Sequence, residues 1–293
     1  MELLDGKKIS ADIKAEIAIE TAKMIDKDIE APHLAAVLVG EDPASQTYVL
    51  AKEKACKAVG ITSTIYRMAA KSTEKEVLDM VNFLNNDPDI DGFIVQLPLP
   101  KGINEGKIIE AIDPAKDVDG FHPVNVGKMA LGMDSYLPAT PAGILEFLER
   151  YKIETEGKHC VVIGRSNIVG SPISIMMGQK KYPGNATVTL CHSRTKNIEE
   201  IAATADILIV AIGQVQFVKA NMVKKGAVVI DVGIHRIEDK TKKSGFRLVG
   251  DVDFDAVAEK TSYITPVPGG VGPMTIAGLL NNTLKAAQLK RGK

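Results

Sequence analysis

Tyr48 and Lys52 stand four residues apart in SQTYVLAKEKACKAVG, residues 45–60. If that stretch is helical, the spacing sets a phenol and an amine on one face with their Cβ atoms about 5–6 Å apart, so that one substrate can touch both. A plainer reading competes, because a helix with lysines at 52, 54 and 57 is also what a solvated surface carries. A second candidate lies in VVIGRSNIVGSPIS, where a strand runs straight into a helix. There, unpaired backbone N–H groups and the positive end of the helix dipole favour phosphate.

Gly164 supplies the tight turn of that junction, whereas Ser166 and Val169 stand where a GxGxxG fingerprint has its second and third glycines. An ordinary strand-to-helix turn is therefore the alternative. After the next strand the chain reads CHSRT. A site selecting NAD places a carboxylate there for the ribose 2′-hydroxyl, and this stretch has none. Ser193 can donate a hydrogen bond, and Arg194 with Arg165 offers guanidinium forks suited to a 2′-phosphate, which points to NADP over NAD. Tyr-x-x-x-Lys also occurs in short-chain dehydrogenases, acting on an alcohol proton after the nucleotide fingerprint. Here it precedes Gly164 by more than a hundred residues, so chain order excludes that reading.

The elements that must position these residues follow one rhythm. HLAAVLVG, a helix over 45–59, ITSTIYRM, the helix EKEVLDMVNFLNN and DGFIVQLPLP alternate as parallel strands with crossover helices do. The rhythm restarts with KHCVVIG, a helix near 171–180, NATVTLCH, a helix near 197–203, ADILIVAIG and GAVVIDVG. We therefore expect an α/β fold of two α/β domains, residues 1–140 and 141–274, the second a Rossmann-like doubly wound parallel sheet. The segment from Ile103 to Gly143, rich in glycine, proline and aspartate, reads as a connection. ATPAGILEFLERY reads as a crossing helix, and a final helix over 275–290 is expected to pack back on the first domain. TPVPGGVGPMT reads as a rigid loop with that helix starting near Met274. No internal repeat stands out beyond rhythm.

Composition narrows the function classes. The chain has 293 residues, 45% of them hydrophobic, which is enough for two cores. With 36 basic and 37 acidic residues the net charge is −1, so nothing advertises nucleic acid as partner. Cys56, Cys160 and Cys191 form no CxxC pair, and histidines 33, 122, 159, 192 and 235 show no ligand spacing, so no metal site is expected. MELLDGKKISADIKAEI lacks the apolar run of a signal peptide, and the chain has no stretch of about 18 apolar residues. A soluble, cytoplasmic protein with no membrane partner is expected.

Taken in order, TYVLAK, GFIVQLPLP, DPAKDVDG, GRSNIVGSP and TPVPGGVGPMT resemble the methylenetetrahydrofolate dehydrogenase/cyclohydrolase family, known as FolD, over nearly the whole length. The resemblance implies a cleft between the domains, with folate held by the first and NADP by the second. It implies oxidation of 5,10-methylenetetrahydrofolate to the 5,10-methenyl cation, then hydrolysis to 10-formyltetrahydrofolate, within one-carbon metabolism serving purine biosynthesis. Carried over by motif, Tyr48 is the ring along the folate, Lys52 the catalytic amine, Gln96 its hydrogen-bonding partner and Asp119 the pterin anchor, with Asp117 its competitor. Leu97, Pro268, Gly269 and Gly270 complete the substrate side. Gly164, Arg165, Ser166, Ile168, Ser193, Arg194, Gly213 and Ile234 make the cofactor side, Ile234 against the nicotinamide end or else packed in the core. A homodimer is also implied, through an edge strand around GFRLVG. Two alternatives stay open: a dehydrogenase without cyclohydrolase activity, and a non-catalytic folate- or nucleotide-binding protein.

Overall fold

The structure is a computed structural model that describes residues 1–242 and 245–291. In chain order its strands are β1 (Glu2–Leu3), β2 (His33–Val39), β3 (Thr62–Met68), β4 (Gly92–Val95), β5 (His159–Ile163), β6 (Thr187–Cys191), β7 (Ile207–Val210), β8 (Val228–Asp231), β9 (His235–Glu238), β10 (Phe246–Val249) and β11 (Tyr263–Ile264). The helices are α1 (Gly6–Ile25), α2 (Pro43–Ala58), α3 (Glu74–Asn86), α4 (Glu105–Ala111), α5 (Pro123–Ala130), α6 (Ala139–Arg150), α7 (Gly170–Gly178), α8 (Ile198–Ala202), α9 (Phe254–Ala258) and α10 (Val271–Lys290). No helix among the described residues is long and apolar enough to cross a membrane.

The chain forms two compact units. One joins Ala11–Ala139 to the segment from Ile276 onward, and the other joins Met1–Ser10 to Thr140–Thr275. The first contains a parallel three-stranded sheet, β3-β2-β4; the second contains a parallel six-stranded sheet, β1-β11-β8-β7-β5-β6. Continuous apolar runs make these strands: β4, β7 and β8 are buried throughout, and β2 and β5 throughout except at His33 and His159, their first residues. Strands covered on both faces read this way rather than as alternating patterns. Helix starts are equally local. Asp42 accepts the N–H of Ser45 ahead of Pro43 at the start of α2, and Thr73 with Glu76 forms a capping box at the start of α3.

Three expectations need correction. Residues 1–10 belong with the six-stranded unit, because β1 pairs with β11. The supposed connection from Ile103 carries α4, α5 and the start of α6, and as far as Ala139 it lies within the three-stranded unit rather than forming a linker. The last helix starts at Val271, not Met274, since Pro273 in a first turn forfeits no helical hydrogen bond. The GFRLVG stretch does form an edge strand, β10, paired antiparallel with β9 in a two-stranded ribbon outside the parallel sheet.

The units also share more than rhythm. The N–H of His33 donates to Asp91 Oδ2 at 2.9 Å and its Nε2 meets Thr64 Oγ1 at 2.9 Å. Likewise the N–H of His159 donates to Asp206 Oδ2 at 2.9 Å and its Nε2 meets Thr189 Oγ1 at 2.9 Å. The registers match, with His33 opposite Thr62 and Leu34 opposite Gly92, as His159 is opposite Thr187 and Cys160 opposite Ile207. A bridge from Phe93 to Asp117 even stands where β7 pairs with β8. One strand plan is therefore built twice.

Candidate active site

In each unit the first strand of this plan has neighbours on both sides, so the chain leaves its carboxyl end in one direction and returns beside it from the other. That is the topological switch point where α/β sheets bind ligands. In the three-stranded unit α2 follows β2 and Gln96 follows β4. The Gln96 N–H donates to Val37 O at 2.9 Å, which carries the sheet one residue past the strand.

Helix α2 buries Ser45, Val49, Ala55 and Cys56, leaving Tyr48 at the edge of that stripe and 48% exposed. One turn on, the half-buried Lys52 donates from Nζ to Gln96 Oε1 at 3.1 Å. Gln96 Nε2 donates to Leu97 O at 2.6 Å, so the amide's donor end is already engaged and its carbonyl must face the lysine. The Leu97–Pro98 peptide is cis.

The two aspartates of DVDG separate clearly. Asp117 is buried and consumed by its own loop: Oδ1 accepts the Phe121 N–H at 3.2 Å, and Oδ2 accepts the His122 N–H at 2.8 Å and Asn125 Nδ2 at 2.9 Å. Asp119 accepts no hydrogen bond among the described residues. Burial pushes its carboxyl up to about 6, the Lys52 ammonium holds it down, and the Asp117 charge adds a further push upward. Asp119 keeps some solvent access in spite of the dense protein around it. It is the acid free to meet a ligand. A cavity of about 620 Å³ in this unit lies elsewhere, among Asp113, Lys116, Tyr136 and Lys285, and is lined by none of Tyr48, Lys52, Gln96 and Asp119.

In the six-stranded unit a cavity of about 490 Å³ is walled by Gly164, Arg165, Ser166, His192, Ser193, Thr195, Ala211, Ile212, Gln214 and Phe217, with Ile163 and Ile198. Gly164 has φ +120°, and a Cβ there would lie 2.1 Å from Ala211 O. A Cβ on Gly170 would lie 1.9 Å from Gly164 O, so the close helix–strand contact falls at 170, one residue later than the fingerprint position occupied by Val169. Ser166 Oγ accepts the N–H groups of Val169 at 3.2 Å and Gly170 at 3.4 Å, ordering the turn in place of a glycine. The residues present suit a phosphorylated dinucleotide: the wall contains no Asp or Glu, and Arg165 and Ser193 in it are donors of the kind a phosphate accepts from. Arg194, Ile168, Gly213 and Ile234 lie outside the wall; Ile168 and Ile234 are exposed, and Gly213 sits between wall residues Ile212 and Gln214.

Pro268, Gly269 and Gly270 fall in this unit, not with Lys52. Gly270 is buried, and its carbonyl lies 1.8 Å from where a Cβ on Gly6 would stand. Gly170, which packs on Gly164, and wall residues such as Thr195, Gln214 and Phe217 were not singled out from the sequence. A looser spacing rule for the third glycine would have found the first; the others carry no local signal.

Residues 4–119 match the tetrahydrofolate dehydrogenase/cyclohydrolase catalytic domain, and residues 138–291 match the NAD(P)-binding domain of the same family. A protein of Cytophaga hutchinsonii named Bifunctional protein FolD is 63% identical over 290 residues, covering 99% of this chain and 100% of that one. The crystal structure of the bifunctional methylenetetrahydrofolate dehydrogenase/cyclohydrolase of Campylobacter jejuni is similar at a TM-score of 0.92 and 49% identity, with 99% of each chain covered. That of the Trypanosoma brucei enzyme, complexed with NADP cofactor and inhibitor, is similar at 0.92 and 36% identity, covering 99% of this chain and 98% of that one.

Proposed function

The chain belongs to the tetrahydrofolate dehydrogenase/cyclohydrolase family, and on that footing we propose how its residues carry the family's two reactions. It is a bifunctional enzyme. It oxidises 5,10-methylenetetrahydrofolate to 5,10-methenyltetrahydrofolate with NADP, and hydrolyses that product to 10-formyltetrahydrofolate.

In the oxidation a hydride leaves a carbon flanked by two nitrogens, whose lone pairs carry the cation that forms. No hydroxyl proton has to be removed. Bound NADP supplies the hydride acceptor. The chain's own task is alignment, and we assign it to Gly164, Arg165, Ser166 and Ser193 at the phosphate and ribose end, with Ile234 as the apolar contact at the other.

The hydrolysis needs more. Water adds to the cationic carbon and releases one proton; the hydroxyl so formed passes its proton to N5 as the C–N5 bond opens, leaving the formyl group on N10. A group that orients the water and relays the proton is required. We assign this to Lys52, held by Gln96, with Tyr48 stacked along the folate. Asp119 takes the pterin's amino-pyrimidine edge, because one carboxylate can accept two parallel N–H bonds. Leu97 joins the same side, and we assign Pro268, Gly269 and Gly270, which the six-stranded unit carries, to the substrate as well. The observation that carries this reading is the 3.1 Å bond from Lys52 to Gln96 beside an Asp119 that its own loop leaves unbonded.

The test is Lys52→Met. Decay of methenyl absorbance should slow by roughly 10²-fold or more, while NADP-dependent oxidation persists; full cyclohydrolase activity would remove the assignment. From family membership we further propose a cytoplasmic enzyme acting on free folates without a nucleic-acid or membrane partner, supplying formyl groups to purine biosynthesis. We also propose a homodimer, which sedimentation would check.

A further inference from the structure

Asp251, wholly buried, is the junction of the loops around the cofactor cavity. Its Oδ2 accepts the N–H groups of Ile212 at 2.8 Å and Gly213 at 3.0 Å. Its Oδ1 accepts the Gln214 N–H at 2.9 Å and His235 Nε2 at 2.7 Å. A carboxylate holding three backbone N–H groups is an acceptor only, so His235 must donate from Nε2. The backbone N–H of Asp251 donates in turn to Asp231 Oδ1 at 3.0 Å, and Asp231 also accepts from Gly233 at 2.9 Å and Val252 at 2.9 Å. The loop after β7 and the turn after β8 thus hang on one side chain. The first supplies Ile212 and Gln214 to the cavity wall; the second presents Ile234, 49% exposed, between Gly233 and His235. Asp251 and His235 themselves lie outside that wall.

We propose that Asp251, together with His235, is a positioning residue for NADP, fixing loop 212–214 and the Ile234 turn in the conformation that receives the cofactor. The inference rests on the NADP reading above and extends it to two residues that do not line the cavity. Four donors converge on two oxygens, and asparagine cannot replace them, because its NH2 group would face at least one N–H with no acceptor. Each hydrogen bond lost to a charged group weakens the receiving conformation by about tenfold or more.

The experiment compares Asp251→Asn, His235→Ala and His235→Gln by three readouts: NADP affinity by titration calorimetry, thermal midpoint, and cyclohydrolase rate with methenyltetrahydrofolate and no cofactor. Asp251→Asn should weaken NADP binding at least about tenfold and leave cyclohydrolase within about twofold. His235→Ala should weaken NADP by about threefold to tenfold, and His235→Gln, which keeps an N–H for Oδ1, should recover most of that. Unchanged NADP affinity in both Asp251→Asn and His235→Ala would overturn the proposal, as would a parallel loss of cyclohydrolase, which marks a general folding role. Should Asp251→Asn fail to fold, the His235 pair decides. A wild-type chain that binds no NADP would sink the cofactor reading and this proposal with it.

Discussion

Burial of Asp119, opposed by the Lys52 charge, sets a pH dependence. The ionised form of Asp119 is the one that accepts pterin N–H bonds, and burial pushes its carboxyl up to about 6. We expect kcat/KM for the folate to climb as pH rises through about 6, and Asp119→Asn to flatten that limb while raising KM; an unaltered profile would return the role to Asp117. Stability runs the other way. A carboxyl whose folded pKa exceeds its ordinary 3.8 contributes most below 3.8 and loses that contribution as pH rises through about 6. Asp119→Asn should therefore raise the thermal midpoint at pH 8 by roughly 2–4 °C, with a smaller gain at pH 5, measured by calorimetry. At this scale the Tyr48–Lys52 spacing was legible, since four residues of helix are local geometry. The choice between Asp117 and Asp119 was not. It turns on which carboxylate Phe121, His122 and Asn125 consume.

Helices α2 and α7 occupy like places in the repeated strand plan but have opposite tastes for anions. Asp42 already sits at the start of α2, taking the Ser45 N–H at 2.7 Å, so that end offers phosphate a like charge. The turn before α7 carries no acid, and Ser166 and the close packing of Gly164 on Gly170 shape it. Gly170→Ala should force the helix away from Gly164 O and weaken NADP binding by about tenfold or more, with cyclohydrolase unaffected; an unchanged Kd would mean that the contact relaxes freely. Arg165→Ala combined with Ser193→Ala should weaken NADP far more than NAD in parallel titrations, and equal losses would remove the 2′-phosphate assignment. The strand–helix alternation was readable because parallel strands are written as short continuous apolar runs. The third glycine was misplaced by one residue because the fingerprint encodes a contact, and here the contact is made one step later.

Across the whole molecule, unit boundaries fall within α1, α6 and α10, so the chain's ends are tied down by pairings remote in sequence. Asp91, with no exposed side-chain surface, accepts the His33 N–H, Lys290 Nζ at 3.1 Å, and both Arg291 Nη1 at 3.0 Å and Nη2 at 3.2 Å. Its counterpart Asp206 has a side chain 32% exposed and pairs with Lys224 at 2.6 Å. Removing one partner of a buried pair costs about 3–5 kcal/mol and of an exposed one under about 1 kcal/mol. Denaturant titration should therefore show a much larger loss for Asp91→Ala than for Asp206→Ala; equal losses would refute the ranking. The amino-acid sequence alone determined the parallel α/β layers, the turn at Gly164, the phosphate-friendly CHSRT and the strings that resemble one family, because periodicity, turn chemistry and motif spacing are properties of neighbouring residues. Only the tertiary structure decided that β1 completes the six-stranded sheet, that His33 with Asp91 repeats His159 with Asp206, and that Asp251 gathers four donors. Those depend on which polar groups packing brings together across tens of residues, where burial demands a partner and local spacing does not say which.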